Sequence, residues 1–391
     1  MKRSTERILT THIGSLPRPP DLAAMIRAKL DGEPVDAEVF ARRVRSAVTA
    51  SVKEQAAHGI DIVADGEMGK VGFIPYINER LSGFEPGKAT GGGSYWGQSR
   101  EAKAFPDFYE WSAKQKGTAG NVGSTRLVCT APIAYQGQGA VQADIDNLKA
   151  ALDGVTHADV FMPAISPANV EDWHSNEHYE TDEAYLFAIA DALAEEYRAI
   201  VDAGFLLQID DPVLATYYVL HPECSIAECR RWAEVRVEAL NHALGGIPED
   251  KIRYHTCYSI NMGPRVHDME LKDIIDILVK VRAGAYSFEA ANPRHDHEWH
   301  LWEVIDLPDG KSLIPGVITH SSVVVEHPEL VAQRLMRFAG VVGRENVIAG
   351  ADCGFASLGG SAEVHPEAVW AKFSALAEGA KLASQRLWNG G

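Results

Sequence analysis

Short apolar runs, each closed by a polar or charged residue, recur along the chain and set its rhythm. Arg126–Pro132, Asp159–Ser166, Leu206–Asp210, Ile252–Cys257, Ala285–Ala290, Leu313–Thr319 and Val347–Ala351 are of strand length and rich in β-branched and aromatic residues. Between most of them lie stretches of helical period, at about 144–153, 183–203, 225–244, 270–283 and 326–340, with a last one over about 363–387. Upstream, Ile8–Ser15 is a β-branched run stopped by Leu16-Pro17-Arg18-Pro19-Pro20. The pattern from about Asp21 to His58 is helical around the turn Gly32-Glu33-Pro34, and Gly59–Glu67 reads as a buried strand ending in carboxylates. Strands alternating with helices predict a parallel sheet, and eight or nine such strands in one α/β chain predict a (β/α)8 TIM barrel. That count is one too many, so Ile8–Ile13 is expected to be a plug or hairpin rather than a barrel strand. No glycine-rich phosphate loop follows any strand, which disfavours an open doubly wound sheet. Residues 83–124, rich in Gly, Ser and aromatics without clear period, are expected to form a long insertion or lid. Residues 1–391 then make a single catalytic barrel domain.

Composition narrows the class. A chain of 391 residues, 46% hydrophobic and 23% charged, suits a folded protein with a full core. A net charge of −17 argues against nucleic acid or an anionic membrane as a partner. No apolar run approaches the ~18 residues of a membrane span, and the polar start Met1–Arg7 lacks the apolar stretch of a secretion signal. Five cysteines, odd and sparse, make no disulfide framework, so the expected setting is a reducing cytoplasm.

The sharpest chemical signal is Arg253-Tyr254-His255-Thr256-Cys257-Tyr258. Side chains on a strand alternate faces, so His255 and Cys257 point the same way. An imidazole beside a thiol is half of a metal site of the kind zinc prefers; it equally fits a core cysteine beside a packed histidine. Other polar residues fall at strand ends: Asp65 and Glu67, Asp210 and Asp211, Glu289, His320, Asp352 and Cys353. In a barrel these ends share one face, where active sites sit. Arg294–His300 is also dense in possible ligands (His295, His297, His300), but on a loop such residues more often bind substrate or water. Cys224 and Cys229, without a second pair, read as packing residues.

Thr11-His12-Ile13-Gly14-Ser15-Leu16-Pro17-Arg18, Asp65-Gly66-Glu67-Met68, Gln208-Ile209-Asp210-Asp211-Pro212, His255-Thr256-Cys257-Tyr258, Phe288-Glu289-Ala290 and Asp352-Cys353-Gly354 follow one another in that order. Taken together they resemble the catalytic C-terminal half of cobalamin-independent methionine synthase, over nearly the whole chain. The resemblance implies zinc held by His255, Cys257, Glu289 and Cys353. A free thiol is only a few per cent ionised at neutral pH, and zinc coordination would deprotonate it. The resemblance also implies contacts for the amino-acid group of homocysteine at Ile13, Ser15, Glu67 and Asp210, with carboxylates suiting the ammonium and Ser15 the carboxylate. His320 matches the family's histidine proton donor, which protonates the leaving nitrogen of the methyl donor. Trp173, six residues after Pro167, matches a Pro–Trp spacing that in the family precedes a folate-stacking indole. On this reading a methyl group moves from 5-methyltetrahydrofolate, or from a methylcorrinoid protein, to homocysteine, giving methionine.

The chain departs from the family pattern at two places. The interval from Cys257 to Glu289 is longer, with Asn261–Glu270 in the position of an insertion, and residues 83–124 exceed the pattern as well. Full-length members also carry an N-terminal half that helps hold polyglutamylated folate, outside the resemblance. Stand-alone relatives include archaeal core enzymes supplied by a corrinoid protein and epoxyalkane:coenzyme M transferases. A second reading therefore keeps the zinc and changes the thiol to coenzyme M. That thiol carries a sulfonate and no amine, so Glu67 and Asp210 weigh against it, while Arg18, Lys70 or Arg294 would supply its cation. A third reading, a non-catalytic zinc- or thiol-binding protein, sits poorly with His320 at a strand end and with a lid.

Overall fold

The computed structural model describes residues 1–87, 96–114, 126–258, 263–305, 307–357 and 364–389. Eight strands form one parallel sheet: β1 (Leu9–Thr10), β2 (Ile62–Val63), β3 (Asp159–Ile165), β4 (Leu206–Asp210), β5 (Ile252–His255), β6 (Ala285–Phe288), β7 (Ser312–Ile318) and β8 (Ile348–Ala351). The order around the sheet is β1-β8-β7-β6-β5-β4-β3-β2, and a parallel bridge from Thr11 to Ile62 closes the ring. Nearly every strand residue is buried, as expected where one face meets the barrel interior and the other a helix. Leu9, Ile62, Phe161, Leu206, Ala285, Ile314 and Ile348 form one apolar layer inside. The long outer helices start at caps legible in the sequence. Asp36 accepts from the amides of Glu38 and Val39 ahead of Ala37–Ala57, and Ser225 and Glu228 form a capping box ahead of Ile226–Ala243.

Two expectations exchange places. Ile8–Ile13 is a barrel strand, not a plug: Leu9 and Thr10 pair with Ile348 and Ala349. The surplus strand is Arg126–Pro132, whose Leu127–Cys129 lies in a separate three-stranded sheet, antiparallel to Phe84–Pro86 and parallel to Ser175–Asn176. Both runs have the same local β pattern, and only the choice of partner separates them. Residues 270–283 also differ from expectation, forming a 3-10 turn (Leu271–Asp273) and one helical turn (Ile275–Leu278). Their apolar period reflects burial of Ile274, Ile277, Leu278 and Val281 against the core rather than a long helix.

Of the proposed lid, residues 88–95 and 115–125 lie outside the described residues, as do 259–262 of the loop after Cys257. The described parts of the two segments pack on each other. Buried Glu101, in the helix Arg100–Ala104, accepts hydrogen bonds from the amides of Val266 (2.6 Å) and His267 (2.7 Å). Its other carboxylate oxygen stands 3.1 Å from Nδ1 of His267. Arg100 donates to the carbonyl of Tyr218 at 2.8 Å and lies 3.9 Å over the Tyr218 ring.

Candidate active site

The barrel register brings the first groups together. Asp210 at the end of β4 stands beside His255 at the end of β5, which stands beside Ser287 in β6. The chain continues in pairing past β5, with the Asp211 amide donating to the His255 carbonyl and the Thr256 amide to the Ser287 carbonyl. Cys257 therefore still faces the barrel mouth. Cys353 arrives from β8 through a close approach to β7. A β-carbon on Gly316 would stand 2.2 Å from Oδ1 of Asp352, so only glycine lets the strands meet where their register shifts. Oδ1 of Asp352 in turn accepts from the amides of Ala290 and Ala291, both at 2.8 Å, which ties the Cys353 loop to the Glu289 loop.

His255, Cys257 and Cys353 offer ligand atoms that all lie within 4.8 Å of one another, and all three residues are buried. The two sulfurs are 3.3 Å apart. Sulfurs bound to a common tetrahedral zinc stand about 3.8 Å apart, so a small opening of this pair admits the ion. Nδ1 of His255 faces the Ser287 hydroxyl at 3.2 Å, while buried Nε2 has no hydrogen-bond partner, the arrangement of an imidazole that offers a lone pair. Burial, then the charges of Arg253 and His320, hold the His255 pKa down to about 3, so the ring is neutral as a ligand must be. The hydrogen bond with Cys257, together with burial, pushes the Cys353 thiol well above its usual range. The donor set fits zinc. Glu289 is not within the close trio; its Oε1 accepts from the Tyr258 amide (2.7 Å) and its Oε2 from Asn292 (2.8 Å), beside Cys353.

One cavity of about 380 Å³, open mouth included, is lined by Ile13, Ser15, Glu67, Phe73, Asp210, Pro212, His255, Cys257, Cys353, Gly354 and Ser357. It gathers every sequence-predicted substrate contact except Trp173 with three of the four predicted ligands. Glu67 has φ of 55°, the left-handed region that non-glycine residues avoid, and follows Gly66 at 72°. Strain of this kind persists where the surroundings hold it. Here Oδ1 of Asp65 takes the Glu67 amide at 3.0 Å, and Arg18 donates to the Glu67 carbonyl at 2.7 Å. Lys70 donates to Glu67 Oε1 (3.3 Å) and to the Pro163 carbonyl (2.7 Å), 4.3 Å over the Tyr76 ring. Gln208 donates to Asp210 Oδ1 (2.7 Å) and to the Ile13 carbonyl, joining two of the predicted contacts from below. Burial and the nearby Glu67 charge push the Asp210 pKa well above the carboxylate range.

A model of the cobalamin-independent synthase catalytic domain matches residues 8–104 and 118–368. The chain belongs to this family. A methionine synthase of Thermococcus kodakarensis is 26% identical over 351 residues, 89% of this chain and 87% of its own length. One from Saccharolobus islandicus is 25% identical over 381 residues, 97% and 95% of the two chains. In fold, the chain resembles a B12-independent methionine synthase from a Shewanella species, solved with selenomethionine, at a TM-score of 0.71 and 20% identity, covering 98% of this chain and 99% of that one.

Other predicted residues of the family site lie off the cavity wall. His320, two residues past β7, is buried and acts electrostatically on His255. Trp173 ends the short helix Pro167–Trp173 and packs with Arg126 5.0 Å from its ring. His295 stacks on Tyr258 at 3.7 Å, with Nδ1 2.8 Å from Glu298 and Nε2 3.4 Å from Asp268. Burial opposes its charge, but these two acids outweigh it and lift the pKa to about 9, so this cluster is an ion-pair network around Tyr258. Cys224 and Cys229 are free thiols, half-buried and buried. Phe73 and Ser357 had no sequence signal; both line the cavity, with the Phe73 amide donating to the Ser357 carbonyl at 3.0 Å. Among the described residues no helix is long and apolar enough to cross a membrane.

Proposed function

We propose that this single-domain chain is a cytoplasmic zinc-dependent methyltransferase that methylates the sulfur of homocysteine to give methionine. One observation carries the reading: the His255–Cys257–Cys353 trio and the acids Glu67 and Asp210 line the same cavity. Zinc, when bound by these three side chains with Glu289, supplies the Lewis acidity that keeps sulfur as thiolate at neutral pH. Glu67 and Asp210 receive the ammonium of the substrate, which relieves the repulsion between two buried carboxyl groups. Ser15 and the backbone at Ile13 take its carboxylate. His320 gives a proton to the leaving nitrogen if the donor is 5-methyltetrahydrofolate, and Trp173 is the candidate for its ring; a methylcorrinoid protein is the other donor. The names of the archaeal relatives and the selenomethionine bound to the Shewanella protein support a sulfur amino acid as acceptor.

Coenzyme M is the weaker acceptor on this geometry. Arg18 and Lys70 are committed to backbone carbonyls and Glu67, and Arg294 faces Asp268 at 3.6 Å. The deciding experiment combines metal analysis of the purified protein with turnover of homocysteine and coenzyme M against methyltetrahydrofolate, methylcobalamin and epoxypropane. About one zinc per chain is expected, lost in Cys257→Ser and Cys353→Ser, with methionine as the product. Metal-free protein, or faster turnover of coenzyme M, rejects the proposal.

A further inference from the structure

Three loops meet at the mouth of the barrel, and one side chain joins two of them to the third. The loop after β1 carries Ile13 and Ser15, the loop after β2 carries Glu67, and the loop after β8 carries Cys353. Arg18, 7% exposed, donates from Nη2 to the carbonyls of Glu67 (2.7 Å) and Lys70 (2.9 Å), and from Nη1 to the carbonyl of Ala356 (2.9 Å). The same loops are stitched around it. The Leu16 amide donates to the Gly66 carbonyl (3.1 Å), Phe355 to Ser15 (2.9 Å) and Phe73 to Ser357 (3.0 Å). A β-carbon on Gly354 would stand 1.9 Å from Oγ of Ser15, so the Cys353 loop lies directly against the Ser15 loop.

Strand pairing fixes where each loop leaves the barrel, but not the separation of groups several residues farther on. Asp210 and His255 sit on paired strands, so the barrel sets their spacing. Glu67 and Cys353 do not, and Glu67 also holds a strained backbone. A planar, charged guanidinium with forked donors suits three convergent carbonyls in a way that a flexible ammonium does not.

We propose that Arg18 is a positioning residue that sets the distance from Glu67 to the sulfur-holding residues, and thereby the length of thiol amino acid accepted. The inference rests on the reading above that Glu67 receives the substrate ammonium. Homocysteine and cysteine differ by one methylene between sulfur and amine, so a fixed spacing selects between them.

The test uses the zinc-loaded full chain and follows binding of L-homocysteine, L-cysteine and 1-propanethiol by calorimetry, with zinc content measured in parallel. In the wild type, homocysteine binds more tightly than the other two. In Arg18→Met, homocysteine affinity falls by about tenfold and the preference over cysteine shrinks, while propanethiol affinity and zinc content stay within about twofold. Arg18→Lys keeps the charge but loses the fork, and shows the same change to a smaller degree; it decides the matter should Arg18→Met not fold. A folded variant with unchanged homocysteine-over-cysteine preference overturns the proposal. So does a parallel loss of propanethiol, which would mark Arg18 as a support of the metal ligands alone. Wild-type protein that binds propanethiol as tightly as homocysteine defeats the amine reading itself, and this inference with it.

Discussion

Asp65 lies beneath Glu67, 3% exposed, and its Oδ1 caps the Glu67 amide. Burial lifts its pKa from 3.8 to about 6, against the pull of Lys70. A carboxyl raised on folding favours the folded state fully below its unfolded pKa, and that contribution is lost as pH climbs through the folded value. Asp65→Asn keeps an acceptor and removes the titration. Its stability relative to wild type should therefore rise by roughly 2–3 kcal/mol between pH 4 and pH 8, read by urea unfolding. A pH-independent difference would rule out this account of the carboxyl. Asp210 carries the complementary prediction for binding. Asp210→Asn should weaken homocysteine by about tenfold or more and leave coenzyme M nearly unchanged, because only homocysteine brings an ammonium. Equal losses for both thiols would remove Asp210 from the role of amine receptor.

Among the elements, the lid and the loop after Cys257 are joined through a buried carboxylate. Glu101 accepts from two consecutive loop amides, so Glu101→Ala leaves both without a partner. Each lost charge-assisted bond costs about 1–3 kcal/mol, and the effect stays local because the strands are not involved. Amides of Val266 and His267 should exchange with deuterium at least about tenfold faster, with the barrel strands unaffected. Unchanged protection would mean that the lid does not hold this loop. The β7–β8 pair makes a harsher demand. Gly316→Ala places a methyl 2.2 Å from Oδ1 and 2.5 Å from Cα of Asp352, neither of which yields without moving Cys353. Destabilisation above about 3 kcal/mol with loss of bound zinc is expected, and a normal melting temperature with full metal content refutes it.

For the whole molecule, closure of the barrel depends on its shortest strands. β1 has two residues, yet it pairs with β8 and Thr11 bridges to β2, so both flanks rely on it. Deleting residues 1–12 would expose two unpaired strand edges, a template for aggregation. Insoluble protein or loss of a cooperative melt is the expected outcome; a soluble, cooperatively unfolding product would show that the ring does not need this strand. The described parts of the lid and of the loop after Cys257 hold each other, Glu101 accepting from the Val266 amide and Arg265 lying 5.7 Å from the Trp96 ring; the family model leaves out only residues 105–117 of these two segments.

The alternation of strands and helices, and the order of short motifs along the chain, were sufficient for the barrel and its family. Those features are written in local periodicity and in residue type, which a sequence displays directly. His255, Cys257, Cys353, Glu67 and Asp210 stand out in the sequence as polar residues at strand ends, Ile13 and Ser15 only through the family resemblance, and the fold brings all seven to one cavity. The assignment of Ile8–Ile13 and Arg126–Pro132 could not be read from the sequence, since two β-branched runs look alike until partners hundreds of residues away choose between them. Phe73 and Ser357, joined to each other by a backbone bond, line the cavity without any signal in the sequence, and Arg18, read in the sequence as a sulfonate cation, is spent on carbonyls. Hydrogen bonds to backbone leave no mark on residue identity at the accepting position. Which loops touch, and how far apart they hold Glu67 and Cys353, was therefore decided by the tertiary structure alone.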